Sequence, residues 1–468
     1  MSIRQILRAK ALVLAAVGLL AACNKDAAFP TIDTPNITST PTPPQYGTPY
    51  NGVPNREDAV IYQVNMRAFS QSGNFAGVLA RLDSIKAVGT NVLYLMPIYP
   101  VGTDSKSVNS PYAVKDYRAV NPEFGTLADL RTLVDAAHAR GMAVMLDWVA
   151  NHTSWDNAWI TAHPDWYKAS PAGGIAAVSN NGTTFPDVAQ LDFSNAYMRA
   201  EMISAIKSWV YTANVDGFRF DYADFQPNDF WKQAIDTLRN VKTHKLLLLA
   251  EATRSANFAS GFDYNFGFNF YGGIRSVYAS NAPATTFDAL NASEYTGATG
   301  TQQVVRFTTN HDVNSSDGTP VAQFGGKAGA MSAFVVAALY KGVPMIYNGQ
   351  EAGMAAKIPF PFTSVKVQWG VNSDVKRAYQ QLMAARAASP ALRAGTPTAY
   401  STTNVCAFTK TAGTEQAFVL VNVRNSVQTF TVPTALANTS WTNALQGGTY
   451  AVGSTISLPA YGYMVLKK

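Results

Sequence analysis

From Ala59 onward, short apolar runs alternate with longer stretches of helical period. The runs are AVIYQVNMR (59–67), NVLYLMPI (91–98), AVMLDWV (143–149), VDGFRFD (215–221), KLLLLAE (245–251), FDYNFGF (262–268), VVRFTTNHD (304–312) and VPMIYNGQE (343–351). Most are apolar at consecutive positions, as strands covered on both faces must be. Helical patterns fall between them, over 74–89, 126–141, 195–214 and 324–342. The first two end on Gly89 and Gly141, as helix C-termini often do. Eight strands alternating with helices predict an α/β fold, a (β/α)8 TIM barrel.

Two stretches break the alternation. Residues 150–194, rich in Trp, Asn, Gly and Pro, are too long for a plain loop and predict a small excursion domain after the third strand. After a helical pattern over 374–395, residues 396–468 turn to short alternating strands such as AFVLVNVRN and YGYMVLKK. They predict a C-terminal antiparallel β-sandwich domain. The catalytic barrel is therefore expected over 55–395. Residues 23–54, dominated by Pro, Thr and Asn, read as an extended tether.

The chain begins with a basic start, an apolar run and small residues before Cys23, which is a secretory signal over 1–22. The sequence LAAC resembles the lipobox of bacterial lipoproteins, which implies lipidation at Cys23 and a membrane partner through the lipid. CNKD after it hints at the outer membrane or cell surface. The leader holds Arg4, Arg8 and Lys10 and no acid, so the remainder carries 33 basic against 30 acidic residues. That near balance, with no basic stripe, excludes a nucleic-acid partner. No protein partner is expected. The other cysteine, Cys406, reads as a buried strand residue, and no disulfide is expected. With 22 Tyr, 24 Phe and 8 Trp, the chain has aromatic faces to spare for stacking on sugar rings.

In a barrel, chemistry sits at the C-terminal ends of the strands. Here the third ends Asp147…Asn151–His152, the fourth Arg219 and Asp221, the fifth Glu251, and the seventh His311–Asp312. One Arg-x-Asp is more often a local ion pair than a catalytic one. Acids at four strand ends are better explained by catalysis. Two carboxyl groups across a sugar bond are the apparatus of glycoside hydrolysis. Arg219, two residues from Asp221, shares its face and should keep it ionised and nucleophilic. Glu251, behind four leucines, should have a raised pKa, which suits a general acid. His152 and His311 have donors for sugar hydroxyls. Chelation by these histidines is disfavoured, because the neighbouring acids come from different strands.

DWVANH, GFRFDYAD, LLLLAEA and FTTNHD resemble the four signature segments of the α-amylase family of glycoside hydrolases, in the family's order. TTFPDVAQLD resembles the fifth segment, SPYAVKDY the tyrosine-bearing loop after the second strand, and GVPMIYNGQE the eighth-strand segment. The resemblance covers about residues 55–468. It implies Asp221 as nucleophile, Glu251 as acid/base and Asp312 as a third carboxylate on the sugar's hydroxyls. It also implies Arg219 orienting Asp221, His152 and His311 bonding the sugar, and Tyr112 stacking on it, with Asp116 and Asp147 in support. Asn151 and Asp187 match calcium-ligand positions, which allows a structural calcium ion there without giving it a full shell, and none is needed for the chemistry. Many members carry Lys-His where this chain has Asp224 and Phe225. The Asp-Pro…Arg pattern of some exo-acting members is missing from GQEAGMAAKIPFPF, which hints at an open, endo-type cleft. The implied activity is retaining hydrolysis of internal α-1,4 bonds in starch-like glucans and maltooligosaccharides. The alternatives are an α-glucosidase or 4-α-glucanotransferase acting on maltooligosaccharides, or a catalytically silent glucan-binding surface protein.

Overall fold

The computed structural model describes residues 41–180 and 182–468. The signal segment, Cys23 and most of the tether lie outside the described residues. Eight parallel strands close into a barrel: Ile61–Val64, Val92–Leu95, Ala143–Trp148, Gly217–Phe220, Leu247–Ala250, Tyr264–Phe266, Gln303–Arg306 and Val343–Tyr347. The first strand pairs with the eighth, Ile61 against Met345, so no edge is left open. All eight expected strands are present, each shorter than its apolar run.

The fourth strand shows how one pattern serves two surfaces. Phe218 and Phe220 are buried, and the Phe220 ring meets Trp231 of the helix Asn228–Arg239 edge-on at 5.0 Å. Gly217 and Arg219 take the alternate face. Gly217 is fixed by its neighbour, since a Cβ there would stand 2.1 Å from the Leu247 carbonyl oxygen. Opposite Arg219 in the ladder are Asp147 of the third strand and Leu249 of the fifth.

Several helices depart from the expected pattern. The segment 74–89 is two short helices, Phe75–Leu79 and Leu82–Ala87. The segment 374–395 also divides, into Ser373–Ala387 and Pro390–Ala394. Pro390 cannot continue a helix, and Ser389 caps the next one by accepting from the Leu392 N–H. Helices Asn228–Arg239, Phe268–Ala279 and Thr286–Glu294 were not expected individually. In Phe268–Ala279, Gly272 and Gly273 blur a buried face of Phe270, Tyr271, Ile274, Val277 and Tyr278.

The excursion is a three-stranded antiparallel sheet of His152–Ser154, Thr183–Gln190 and Ala177–Asn180. The C-terminal region is a six-stranded antiparallel sheet with a separate two-stranded one. Its strand Val405–Ala412 alternates cleanly: Val405 and Ala407 face that region's own core with Trp441 and Phe430, while Cys406 and Phe408 join the barrel core. The tether ends earlier than residue 54. The Tyr46 N–H donates to the Tyr211 carbonyl, its hydroxyl to Asp135, and Tyr50 stacks on His138 at 4.3 Å. Val53 is buried. These apolar side chains, set among prolines, dock residues 46–53 on the barrel. Among the described residues no helix is long and apolar enough to cross a membrane.

Candidate active site

Arg219 organises the barrel mouth. Its Nη1 donates to Asp147 Oδ1 at 2.6 Å and to Asp221 Oδ1 at 2.9 Å, and its Nη2 lies 2.5 Å from Glu251 Oε1. One guanidinium thus holds carboxyl groups from the third, fourth and fifth strands. Its planar fork presents fixed N–H directions, so the three are positioned as a unit. Directly after Asp221 the chain turns through Tyr222, whose φ is +55°, and the Tyr222 N–H donates to Glu251 Oε2 at 2.8 Å. Both oxygens of Glu251 are therefore oriented by residues flanking Asp221.

A second network approaches from the first, second and seventh strands. Tyr94 and Tyr112 both donate to Asp147 Oδ2, at 2.6 and 3.0 Å. Gln63 Nε2 donates to His311 Nδ1 at 2.8 Å, which leaves the proton on Nε2, 2.7 Å from the Tyr112 hydroxyl. The Tyr112 and His311 rings stack at 5.3 Å. Tyr112 is thereby locked in orientation while one face lines the cleft. Asp312 is not on a strand. It opens a helix, His311–Ser316, capped by Asn310, and its carboxylate is 40% exposed beside His311. The seventh strand ends at Arg306, earlier than its apolar run suggests.

These groups surround a cleft of about 670 Å3 lined by Tyr112, His152, Asp221, Tyr222, His311 and Asp312. Glu251 adjoins it through the N–H of Tyr222, which lines the cleft. His152 borders the cleft, yet both ring nitrogens are engaged: Nε2 donates to the Tyr112 carbonyl at 3.1 Å and Nδ1 accepts from Asn151 at 3.3 Å. In this arrangement it props the Tyr112 loop.

Burial dominates the electrostatics. It pushes Asp221 up to about 7 against the pull of Arg219, with Asp147 and Asp312 adding to the rise. The expectation that Arg219 keeps Asp221 ionised is corrected here: burial outweighs the guanidinium, which is also shared with Asp147 and Glu251. Glu251 is held well above the ordinary range, by burial first, against Arg219, and then by Asp221 and Asp312. Both carboxyls of the pair are raised, and for Glu251 that is the direction a proton donor needs. Burial lowers His152 to about 4 and also lowers His311, so both imidazoles are neutral near pH 7.

Three residues of this site were not singled out in the sequence: Gln63, Tyr94 and Tyr222. Gln63 carried a usable signal, a polar side chain inside an apolar strand. Asp224 is a different case. It accepts from the Thr253 and Arg254 N–H groups and from Asn257 and pairs with Arg254 at 3.0 Å, so it anchors the loop after the fifth strand. Phe225 stays 45% exposed and stacks on Tyr222. The two expected calcium ligands, Asn151 and Asp187, both line the cleft, and the Asn151 side-chain oxygen accepts from Gln190 Nε2 at 3.1 Å. Among the described residues no group of three or more His, Cys, Asp or Glu could hold a metal ion.

Residues 49–172 and 183–439 match the family model of the α-amylase catalytic domain. Alpha-amylase 3 of Dictyoglomus thermophilum is 28% identical over 368 residues, 69% of either chain. An α-1,4-glucan:maltose-1-phosphate maltosyltransferase of Rhodospirillum rubrum is 28% identical over 69% of this chain, which spans 49% of that relative. The crystal structure of an α-amylase from Lactobacillus plantarum superposes with a TM-score of 0.78 at 30% identity, covering 88% of this chain and 99% of that one.

Proposed function

Because the chain belongs to the α-amylase family of glycoside hydrolases, we propose that it cuts internal α-1,4-glucosidic bonds of starch-like glucans and maltooligosaccharides with retention of configuration. The observation that carries this reading is the shared guanidinium. Two carboxyl groups bound to one Arg219 stand close together. Retaining enzymes need about 5–5.5 Å between their carboxyls, whereas inversion needs roughly 6.5–9.5 Å to admit a water.

In the first step Asp221 attacks the anomeric carbon. The bond to the glycosidic oxygen breaks as Glu251 delivers its proton to that oxygen. The sugar is then an ester of Asp221, and Glu251 is an anion. In the second step Glu251 takes a proton from water, the water oxygen bonds the anomeric carbon, and Asp221 leaves as carboxylate. Asp312, exposed in the cleft, bonds the sugar's hydroxyls, and Tyr112 stacks on its ring. The intact carboxyl trio argues against a silent binding protein.

The choice of internal bonds rests on the cleft's shape. The loops after the fourth and eighth strands face each other across the barrel, since three strands lie between them either way. One carries the Tyr222–Phe225 pair, the other Phe360, 46% exposed. Apolar surfaces on both sides suit a glucan that runs through the cleft. On amylose, iodine staining should collapse while few reducing ends have formed. Staining that falls only in proportion to released glucose or maltose would replace this reading with an exo-acting α-glucosidase. One observation favours transfer as a second reaction: exposed Phe225 offers a stacking face to a sugar acceptor, which would replace water in the second step.

A further inference from the structure

Where the loop after the third strand meets the end of the excursion sheet, one amide nitrogen gathers several oxygens. Gln190 Nε2 donates toward three oxygens: the Asn151 carbonyl at 3.1 Å, Asn151 Oδ1 at 3.1 Å and the Leu191 carbonyl at 3.2 Å. Carbonyl oxygens converging on one point are the surroundings a hard cation seeks. Here a neutral amide occupies that point, its two protons shared among three acceptors.

The ladder sets Gln190, rather than Asp187, level with the turn at Asn151 and His152. Gln190 pairs with His152, Ala189 with Thr153 and Val188 with Ser154, so Asp187 falls beyond the paired stretch. The three oxygens around the Gln190 amide are all neutral carbonyls, none a carboxylate. Calcium affinity rises with the count of charged ligands, and neutral carbonyls alone repay little of the ion's dehydration. The residues present do not fit a calcium ion.

We propose that the Gln190 amide stands in the place of a cation, so that the excursion is fastened to the barrel by neutral hydrogen bonds and this site takes no calcium. The fastening bears on the cleft. Asn151 donates to His152, and His152 holds the Tyr112 carbonyl. Gln190 is therefore a positioning residue for the Tyr112 loop.

The test is thermal unfolding of the whole protein in chelator and in millimolar calcium chloride, with calorimetric titration of calcium alone. The wild-type midpoint should be the same in both media, with no saturable heat. Gln190→Asp shortens the side chain by one methylene, which opens space at the amide's position and supplies a charge. That variant should unfold earlier than wild type in chelator, recover in calcium, and show one-site binding. A wild-type midpoint that falls in chelator together with saturable calcium binding would overturn the proposal. So would a Gln190→Asp variant that folds yet gains no calcium binding over wild type. Should that variant not fold, the wild-type titration decides alone.

Discussion

Replacing Asp221 by Asn should stabilise the protein at neutral pH while abolishing turnover. The side chain is only 13% exposed, and its carboxyl is raised from the ordinary 3.8 to about 7, by burial first. Below about pH 4 it is protonated in folded and unfolded chains alike and contributes no difference. Between about 4 and 7 the unfolded chain ionises while the folded one resists, so stability falls as pH rises. At about 1.36 kcal/mol per pH unit, the full effect is about 4 kcal/mol at pH 7 and above. Asn also forfeits a charge-assisted hydrogen bond to Arg219, worth about 1.5–3 kcal/mol, so the net gain is about 1–3 kcal/mol. With Asp147 and Glu251 still beside it, Arg219 is not left unpaired. An unfolding entropy of about 2.1 cal/mol/K per residue gives a chain of 468 residues about 1 kcal/mol per degree. The midpoint should therefore rise by about 1–3 °C at pH 7.5. Calorimetry of wild type and Asp221→Asn from pH 4 to 8 measures this directly. A gain that shrinks toward pH 4 is expected. Equal midpoints at pH 7.5, or a difference independent of pH, would refute the argument that burial raises this carboxyl.

Gly217→Ala would set a methyl group against the Leu247 carbonyl at 2.1 Å and force the fourth and fifth strands apart. A loss of about 3 kcal/mol or more is expected, read as an earlier urea midpoint. Glu251→Gln should lose far more activity on starch than on an aryl glycoside with an activated leaving group, because only a poor leaving group needs the proton. Equal losses on both would remove Glu251 from the acid role. Cys23→Ser should shift the protein from the membrane fraction to the soluble one with kcat/KM unchanged. A variant that stays with the membranes would end the lipoprotein assignment.

What the sequence made legible follows from how barrels are built. GFRFD could be read because strand alternation sends Phe218 and Phe220 outward and leaves Arg219 on the face that leads to Asp221. The order of the strand ends then brought Asp147, Asp221 and Glu251 together, as observed. Contacts set by ladder register and by turns were not legible. Gln190 could be told from Asp187 as the neighbour of Asn151 only through its pairing with His152. Tyr222 contributes through a left-handed backbone, not through its side chain. Nothing in the position of Asp224 along the chain foretells that it turns to bind Thr253, Arg254 and Asn257. The end of the tether is not legible, because the prolines there outweigh Tyr46, Tyr50 and Val53, whose partners lie far along the chain.

The central claim is that Asp221 and Glu251 act as nucleophile and acid/base in two displacements at one carbon. The stereochemistry of the first product tests it most directly. Maltooligosaccharide hydrolysis followed by proton NMR, faster than mutarotation, should show the new reducing end first as the α anomer, with β appearing only later. A reducing end that appears first as β would mean a single displacement by water, and would contradict the roles given to both carboxyl groups.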